Sequence, residues 1–362
     1  MLTRSALIVC EICRLLVVPP KGFPRPTALF AIVFLLAHGV FLADSMAEVF
    51  VLPSPNRAIF KDHGEEEYFV PTPGKDWASG TFGCVRSDGH QFHEGLDIKC
   101  TQRDRHGEPT DSVFAAAGGR VAYINETPGL SNYGKYVILE HEIDGMPIFT
   151  TYAHLSAFAS GLKVGEKVQQ GQPIATMGRT SNTRQGITKD RAHVHFEIDL
   201  RLNDRFAAWH KEKFPGQRND HGNWNGRNMA GVDPRLALLD QQRLGSRFSL
   251  VDFIRARAEL CRVLVRQPHF PWIKTYGPLV KRNPIAEKEG IAGYEIALDY
   301  TGLPFQLIPR AKSEIGPGPK VQLLSVKDAE ATAHACRKLV TKRSGHWELA
   351  NNGLQLLDLL AY

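Results

Sequence analysis

The sequence predicts a mainly β domain followed by a smaller α+β domain. Residues 80–198 consist of short apolar runs separated by glycine and asparagine, which is typical of strands joined by turns. The pattern changes after Pro234, where helical periodicity begins. The length of 362 residues suits two domains, and 43% hydrophobic and 23% charged residues indicate a globular protein. We therefore expect one domain over 79–235 and a second over 236–362.

Strand-like segments fill the first domain. They are VFAAAGGRVAYI, YVILEHEI, FTTYAHLS, KVQQGQPIATMG and AHVHFEI, and no helical pattern lies among them. Residues 48–78 are rich in proline and are predicted to be an irregular lead-in. The polar residues 199–232 are predicted to be a loop that closes the domain.

Helical and strand-like segments alternate in the C-terminal domain. Ser249–Val265 has helical periodicity, with Ser249 as its N-cap. Ile291–Leu307 predicts one or two strands, and further helices are expected at Asp328–Thr341 and Gly353–Leu360. The sequence alone assigns no role to this domain.

The N-terminal residues 1–47 resemble an export signal. An apolar run of 16 residues, Ala28–Ala43, follows Lys21 and Arg25 and precedes the small residues of Ser45-Met46-Ala47. The run is shorter than the roughly 20 residues that span a bilayer comfortably. We expect cleavage near Ala47, with an uncleaved membrane anchor and a buried helix as the alternatives.

Export changes the expected state of the cysteines. Cys84, Cys100, Cys261 and Cys336 follow the signal, and cysteines outside the cytoplasm usually form disulfides. Three connectivities are open. The pairing Cys84–Cys100 with Cys261–Cys336 would keep each bond within one domain, and we favour it for that reason.

The charge distribution argues against nucleic acid as a partner. The net charge of +6 is spread along the chain, and no nucleic-acid-binding motif is present. A solvated, mildly basic surface is the expected consequence, and membrane contact is expected only through an uncleaved N-terminal segment.

Two histidines in RAHVHFEI, at residues 191–198, carry the first functional signal. Residues two apart on a strand point to the same side, so His193 and His195 would share one face. His93 and Asp97 lie four apart in FHEGLDIKC, about 13 Å along a fully extended strand. If both bind one metal ion, the chain must bend between them, and Gly95 gives it that freedom. His93 is then expected in a loop before the strand that carries Asp97.

Three motifs in order resemble the lysostaphin-type zinc endopeptidases. They are His93-Glu94-Gly95-Leu96-Asp97, Tyr152-Ala153-His154-Leu155-Ser156 and His193-Val194-His195-Phe196-Glu197. The segments SGTFGCV, SNYGKYVILEH and VGEKVQQGQPIATMGRTS also resemble family strands, so the resemblance covers roughly residues 79–200. It implies antiparallel β sheets that form a groove, and a peptidoglycan endopeptidase activity.

The resemblance also implies roles for particular residues. His93, Asp97 and His195 would bind one zinc ion, which leaves the open position of a catalytic site. His154 and His193 would be catalytic and handle protons, since imidazole titrates near pH 6.5.

Other residues are weaker candidates. Glu197 shares a strand face with His195 and is a candidate partner behind that ligand. Tyr152 is expected to share the face of His154 and to line the groove, and Asn132 is a candidate substrate contact. The loops CTQRDRHGEPTDS (100–112) and RTSNTRQGITKDRA (179–192) depart from the family pattern, and both are expected to border the groove.

These signals favour an exported zinc endopeptidase in the periplasm or cell envelope, acting on peptidoglycan at Gly-Gly or D-Ala-linked bonds. The first alternative is a non-catalytic regulator of other wall hydrolases; such relatives usually lack one or more of the five site residues, whereas all five are present here. The second is a biotinyl- or lipoyl-type carrier, which VGEKVQQGQPIATMG resembles. A carrier needs an acceptor lysine at a hairpin tip, which that segment does not provide.

Overall fold

The computed structural model describes residues 48–362, so the predicted export signal lies outside the described residues. The first region is built from strands joined by short turns, as the apolar runs predict. Its strands are β1 Gly83–Arg86, β2 Gln91–His93, β3 Leu96–Lys99, β4 Ser112–Phe114, β5 Gly119–Asn125, β6 Tyr136–Ile143, β7 Met146–Ala153, β8 Ala157–Phe158, β9 Lys167–Val168, β10 Pro173–Thr176, β11 His193–Arg201 and β12 Met229–Val232.

The strands form antiparallel sheets. The largest has the order β12-β11-β7-β6-β5-β9, and β3 pairs with β11 on the same edge as β12. A sheet of order β4-β10-β8 and the hairpin β1-β2 complete this region. β11 is central to the large sheet and is buried from His193 to Leu200, so it supplies a rigid support for polar groups.

The region contains more helix than the sequence predicts. A short helix, α1 Glu65–Tyr68, lies in the lead-in. Residues 199–232 were expected to be a loop, but this is wrong, because α2 Phe206–Lys213 and β12 form within them. β12 forms because it pairs with residues 198–201 at the C-terminal end of β11. Such a tertiary contact overrides local propensity.

The C-terminal region is α+β, as expected. A sheet of order β15-β14-β13-β16 and a hairpin β17-β18 are accompanied by short helices. The strands are β13 Cys261–Val265, β14 Gly293–Leu298, β15 Pro304–Arg310, β16 Val321–Val326, β17 Val340–Arg343 and β18 His346–Leu349. The helices are α3 Pro234–Leu244, α4 Leu250–Arg255, α5 Trp272–Thr275, α6 Pro284–Glu289, α7 Lys312–Ile315, α8 Asp328–Ala333 and α9 Asn351–Leu360.

Two predicted C-terminal helices are too long. Ser249 caps α4 through its Oγ, which accepts from the Asp252 N–H at 3.2 Å, but the helix ends at Arg255. The apolar run from Cys261 to Val265 is the central strand β13 instead, because it is covered by partner strands on both edges. A short buried run of this kind fits either structure by its pattern alone. Asp328–Thr341 divides in the same way into α8 and the start of β17.

The two regions share one buried core. It continues from Leu96 and Phe196 on the large sheet to Val263 and Ile296 on the C-terminal sheet. The described residues 48–362 accordingly cluster as one compact unit, so the domain boundary near residue 235 stays a prediction. Within residues 48–362, every helix is too short or too polar to cross a membrane.

The favoured disulfide pairing is wrong. Cys84 of β1 is bonded to Cys336, and their Cα atoms lie 5.6 Å apart. Cys100 and Cys261 are buried free thiols. The prediction assumed that each disulfide lies within one domain. In the structure, the turn that carries Cys336 packs directly against the β1-β2 hairpin, which brings Cys336 to Cys84.

Removal of this bond should destabilise the protein. We expect the double variant Cys84→Ser/Cys336→Ser to lose about 2–4 kcal/mol of unfolding free energy, measured by urea denaturation. Peptide mapping without reductant should recover one cross-linked peptide containing Cys84 and Cys336. A cross-link that involves Cys100 or Cys261 would contradict the structure.

Candidate metal centre

Strand register brings three metal-ligand side chains together. His195 of β11 lies directly opposite Asp97 of β3, so the two side chains are cross-strand neighbours on one face. His93 ends β2, not a loop as expected, and reaches the same point. His93 Nε2 lies 3.2 Å from Asp97 Oδ1 and 3.2 Å from His195 Nδ1, and the third pair of atoms is 3.0 Å apart. Zinc bonds of about 2.0–2.1 Å place tetrahedral ligands about 3.3 Å apart, so this set fits zinc.

The close approach of these strands depends on Gly95. A Cβ atom at this position would lie 2.3 Å from the carbonyl oxygen of Phe196 on β11. No side chain fits there, so glycine allows β3 to begin directly after β2 and lets His93 turn back toward Asp97. Gly95 is therefore required for the close packing of β3 on β11; its φ is not positive, so the backbone freedom expected of it is not what the structure uses.

Hydrogen bonds fix the ring orientation of both candidate histidine ligands. His93 Nδ1–H donates to the carbonyl of Thr81 at 2.7 Å, and His195 Nε2–H donates to Glu197 Oε1 at 2.8 Å. The other nitrogen of each ring, His93 Nε2 and His195 Nδ1, therefore directs its lone pair at the shared point. Such outer partners set the tautomer and raise the basicity of a histidine ligand.

His154 and His193 face the same point from the other side. Their Nδ1–H groups donate to the carbonyls of Thr180 at 2.9 Å and Arg191 at 2.7 Å. Their rings are 4.7 Å apart, and His193 Nε2 lies 3.4 Å from Asp97 Oδ1. Both Nε2 atoms are thus oriented toward the centre, and neither ring belongs to the group of mutually close ligand atoms formed by His93, Asp97 and His195.

The backbone of His154 explains one wrong prediction. His154 has a φ of 62°, in the left-handed region, immediately after β7 ends at Ala153. The strand alternation stops there, so Tyr152 does not share its face. Tyr152 is fully buried, and its hydroxyl accepts from the Ala116 N–H at 2.7 Å, which places it in the core and not in the groove.

The buried charges favour metal binding. Burial alone would raise the pKa of Asp97, but the adjacent His193 and His93 hold it well below its usual range, so the carboxylate is ionised. Burial, His193 and His195 together lower the pKa of His154 well below its usual value, which keeps that ring neutral at pH 7. Burial opposes the charged form of His195, yet Asp97 and Glu197 raise its pKa to about 10. Metal binding at His195 therefore displaces a proton.

A buried acidic pair stands behind His195, and Glu197 occupies the position expected of a supporting residue. Burial would raise the pKa of Glu197, but the hydrogen bond from His195 lowers it. Burial and the Glu197 charge raise the pKa of Asp199 well above its usual range, so the pair holds one charge and one proton. The Tyr133 hydroxyl also donates to Glu197, and its ring meets the edge of His195.

Loss of the Glu197 charge should weaken the metal site. We expect Glu197→Gln to reduce zinc affinity by about 10–100-fold, because the amide keeps the shape but supports His195 less strongly. Competition with a chromogenic chelator measures this. Glu142→Gln, an exposed change on β6, is the matched control; an equal loss of affinity in both variants would contradict the role of Glu197.

Sequence reasoning missed two contacts of this site. Arg86 Nη2 donates to Asp97 Oδ2 and lies 2.9 Å from His93 Nε2, so the guanidinium neutralises Asp97 and would compete with a cation for His93. Tyr133 holds Glu197 in place. Both residues are outside the three motifs, and only the hairpin β1-β2 and the turn before β6 bring them to the centre.

The centre opens into a groove of about 680 Å³. Asn132 lines it, as expected, and so do residues 181–187 of the second departing loop. The first departing loop, 100–112, does not line it. Arg103 in this loop donates to the carbonyl of Lys189 at 2.5 Å, and Glu108 pairs with Arg179 at 2.9 Å. The first loop therefore packs against the second loop without lining the groove.

Comparison with known proteins agrees with this geometry. The family model for peptidase family M23 matches residues 91–206. The lipoprotein NlpD of Yersinia enterocolitica is 33% identical over 95 residues, which are 26% of this chain and 84% of that protein. The NlpD/LppB lipoprotein homologue of Pseudomonas aeruginosa is 34% identical over 122 residues, 33% of this chain and 34% of that protein.

An L-Ala–D-Glu endopeptidase of Bacillus subtilis is 27% identical over 159 residues, 43% of this chain and 44% of that protein. The chain thus spans less than half the length of the Pseudomonas and Bacillus relatives. The similarity is concentrated on the strands that carry the His-Asp-His group. This chain belongs to peptidase family M23.

Proposed function

We propose that the protein is an exported, zinc-dependent endopeptidase that cleaves stem-peptide or cross-bridge bonds of peptidoglycan. The observation that carries the proposal is the convergence of His93, Asp97, His195, His154 and His193 at one buried point that opens into a groove. The printed activity of the Bacillus relative, L-Ala–D-Glu endopeptidase, supports the reaction class.

The side chains divide into two groups in this proposal. His93 Nε2, Asp97 Oδ1 and His195 Nδ1 hold the ion, and Glu197 and the Thr81 carbonyl orient the two rings. When bound in such a site, zinc lowers the pKa of a coordinated water toward about 7 and polarises the scissile carbonyl.

The other two histidines move protons. His154 is neutral at pH 7 and presents Nε2 as a proton acceptor, because its Nδ1–H is held by Thr180. His193 presents Nε2 next to Asp97; in its imidazolium form, with Nδ1–H held by Arg191, its Nε2–H can donate to the charge that develops on the carbonyl oxygen. The backbone carbonyls that bind both Nδ1–H groups keep the rings aimed before substrate arrives.

We further propose residues 79–235 as the peptidase domain, residues 1–47 as the export segment and the cell envelope as the location. The lipoprotein names of two relatives support the envelope. A non-catalytic regulator of wall hydrolases is the competing function, and the presence of all five site residues argues against it.

Digestion of cross-linked muropeptides tests the activity. Zinc-loaded protein should convert them to smaller products, a chelator should stop the reaction, and added zinc should restore it. His346→Ala, an exposed histidine change far along the chain, is the control for loss of an imidazole. Muropeptides that stay intact with fully zinc-loaded protein would overturn the enzyme proposal in favour of the regulator.

A further inference from the structure

We propose that Arg337, from the C-terminal region, binds a carboxylate of the substrate peptide in a second cavity beside the metal centre. This inference rests on the proposed peptidase function, because it assigns a substrate group to the same groove. Arg337 lies outside residues 91–206, so the matched family region does not supply this group.

The second cavity continues the groove past His195. It has a volume of about 310 Å³, enough for one amino-acid side chain, and it shares Glu94, Asn132 and Tyr133 with the main groove. Tyr136 and Trp224 add apolar walls. A peptide that crosses the metal centre would therefore place its next residue in this cavity.

Arg337 is held in position from two sides. The preceding residue, Cys336, is bonded to Cys84 of β1, which anchors the turn against the active-site hairpin. The guanidinium lies 4.9 Å from the ring centre of Phe92, the neighbour of His93, and its Nε–H donates to the carbonyl of Thr301 at 3.2 Å. A side chain fixed in this way loses little entropy when it binds a ligand.

The hydrogen-bonding capacity of Arg337 is not used up by the protein. Within residues 48–362, no carboxylate lies within 4.0 Å of it, and only its Nε–H has an acceptor. Arg337 lines the cavity, neither of its Nη groups has an acceptor among residues 48–362, and a guanidinium can bind a carboxylate through two parallel bonds. Because the residue is half-buried, the attraction is screened less than at an open surface.

The charged groups of the cavity wall define the ligand. Arg227 adds a second positive charge, and the carboxylates of Glu94 and Glu197 also line the cavity. Glu197 is already hydrogen-bonded to His195 and Tyr133, so Arg337 is the group left to bind a carboxylate. With two arginines and two carboxylates on its wall, the cavity suits a single carboxylate and disfavours a polyanion.

The test compares cross-linked muropeptides with the same material after carbodiimide amidation of its carboxyl groups. We expect the zinc-loaded wild-type protein to prefer the native substrate. Arg337→Met keeps the packing on Phe92 and should reduce that preference at least tenfold in kcat/KM, chiefly through KM. Lys338→Gln is the control, because it also removes one positive charge, from the exposed residue next to Arg337. It should keep the preference for the native substrate.

Equilibrium binding of the same two preparations to the His154→Gln protein gives a readout without turnover. The His154→Gln protein should bind the native preparation more tightly, and the added change Arg337→Met should remove this difference. That result would support the inference even if no peptide bond is cut, so it separates the inference from the enzyme proposal. If the proteins with and without Arg337→Met prefer the native preparation to the same degree and have the same unfolding midpoint, the inference about Arg337 is wrong.

Discussion

His193→Ala should keep its zinc and lose turnover by about 10²–10⁴-fold, the usual contribution of a positioned acid–base group. The reason is the division of roles on β11. His193 shares a face with His195, but its Nε2 lies near Asp97 Oδ1 and its Nδ1–H is held by the Arg191 carbonyl. Its ring lies outside the group of mutually close ligand atoms formed by His93, Asp97 and His195, so we expect it to contact the reacting region without binding the ion.

The measurement combines zinc content by atomic emission with kcat for muropeptide cleavage. His193→Gln is the matched control for side-chain volume, since it fills the space but cannot exchange a proton near pH 7. Both variants should keep at least half of the wild-type zinc. Loss of zinc to the level of a ligand variant would mean that His193 is itself a ligand.

His195→Ala should lose zinc binding and, with it, all detectable cleavage. The change removes one of three ligand atoms and also leaves Glu197 buried without its histidine partner. We expect the metal-free variant to be destabilised by about 1–3 kcal/mol, because the buried Asp97 and Glu197 each lose a hydrogen bond from the imidazole.

A thermal-shift titration with zinc measures this loss without substrate. Binding at 100 times Kd stabilises a folded protein by about 2.7 kcal/mol, so the wild-type melting temperature should rise clearly with zinc. His195→Ala should show no zinc-dependent rise, whereas His193→Ala should show one. A normal rise in His195→Ala would remove that residue from the metal site.

The strands of the first domain and the shared face of His193 and His195 follow from local alternation. The full set of residues that meet at the centre is implied by the resemblance to the lysostaphin-type endopeptidases. The sequence predicts Gly95 as a point of bending, whereas the structure requires it for close packing. The hydrogen-bond partners of the histidine rings could not be predicted from local patterns. The Thr81, Thr180 and Arg191 carbonyls carry no side-chain signal, and Arg86 and Tyr133 arrive through sheet packing alone.

The wrong predictions have physical causes of the same kind. Tyr152 was placed in the groove because alternation was extended through His154, where the backbone enters the left-handed region. The disulfide pairing failed because the turn around Cys336 packs on β1, across the expected boundary. Cys261–Val265 is apolar except for Arg262, and its two partner strands, not its pattern, make it a strand.

Anomalous diffraction at the zinc absorption edge tests the central claim most directly, with crystals grown in the presence of zinc. One strong peak is expected at about 2.0–2.2 Å from His93 Nε2, Asp97 Oδ1 and His195 Nδ1, with His154 and His193 outside bonding distance. A peak coordinated by a different set of side chains, or a zinc-loaded crystal without a peak at this point, would contradict the account.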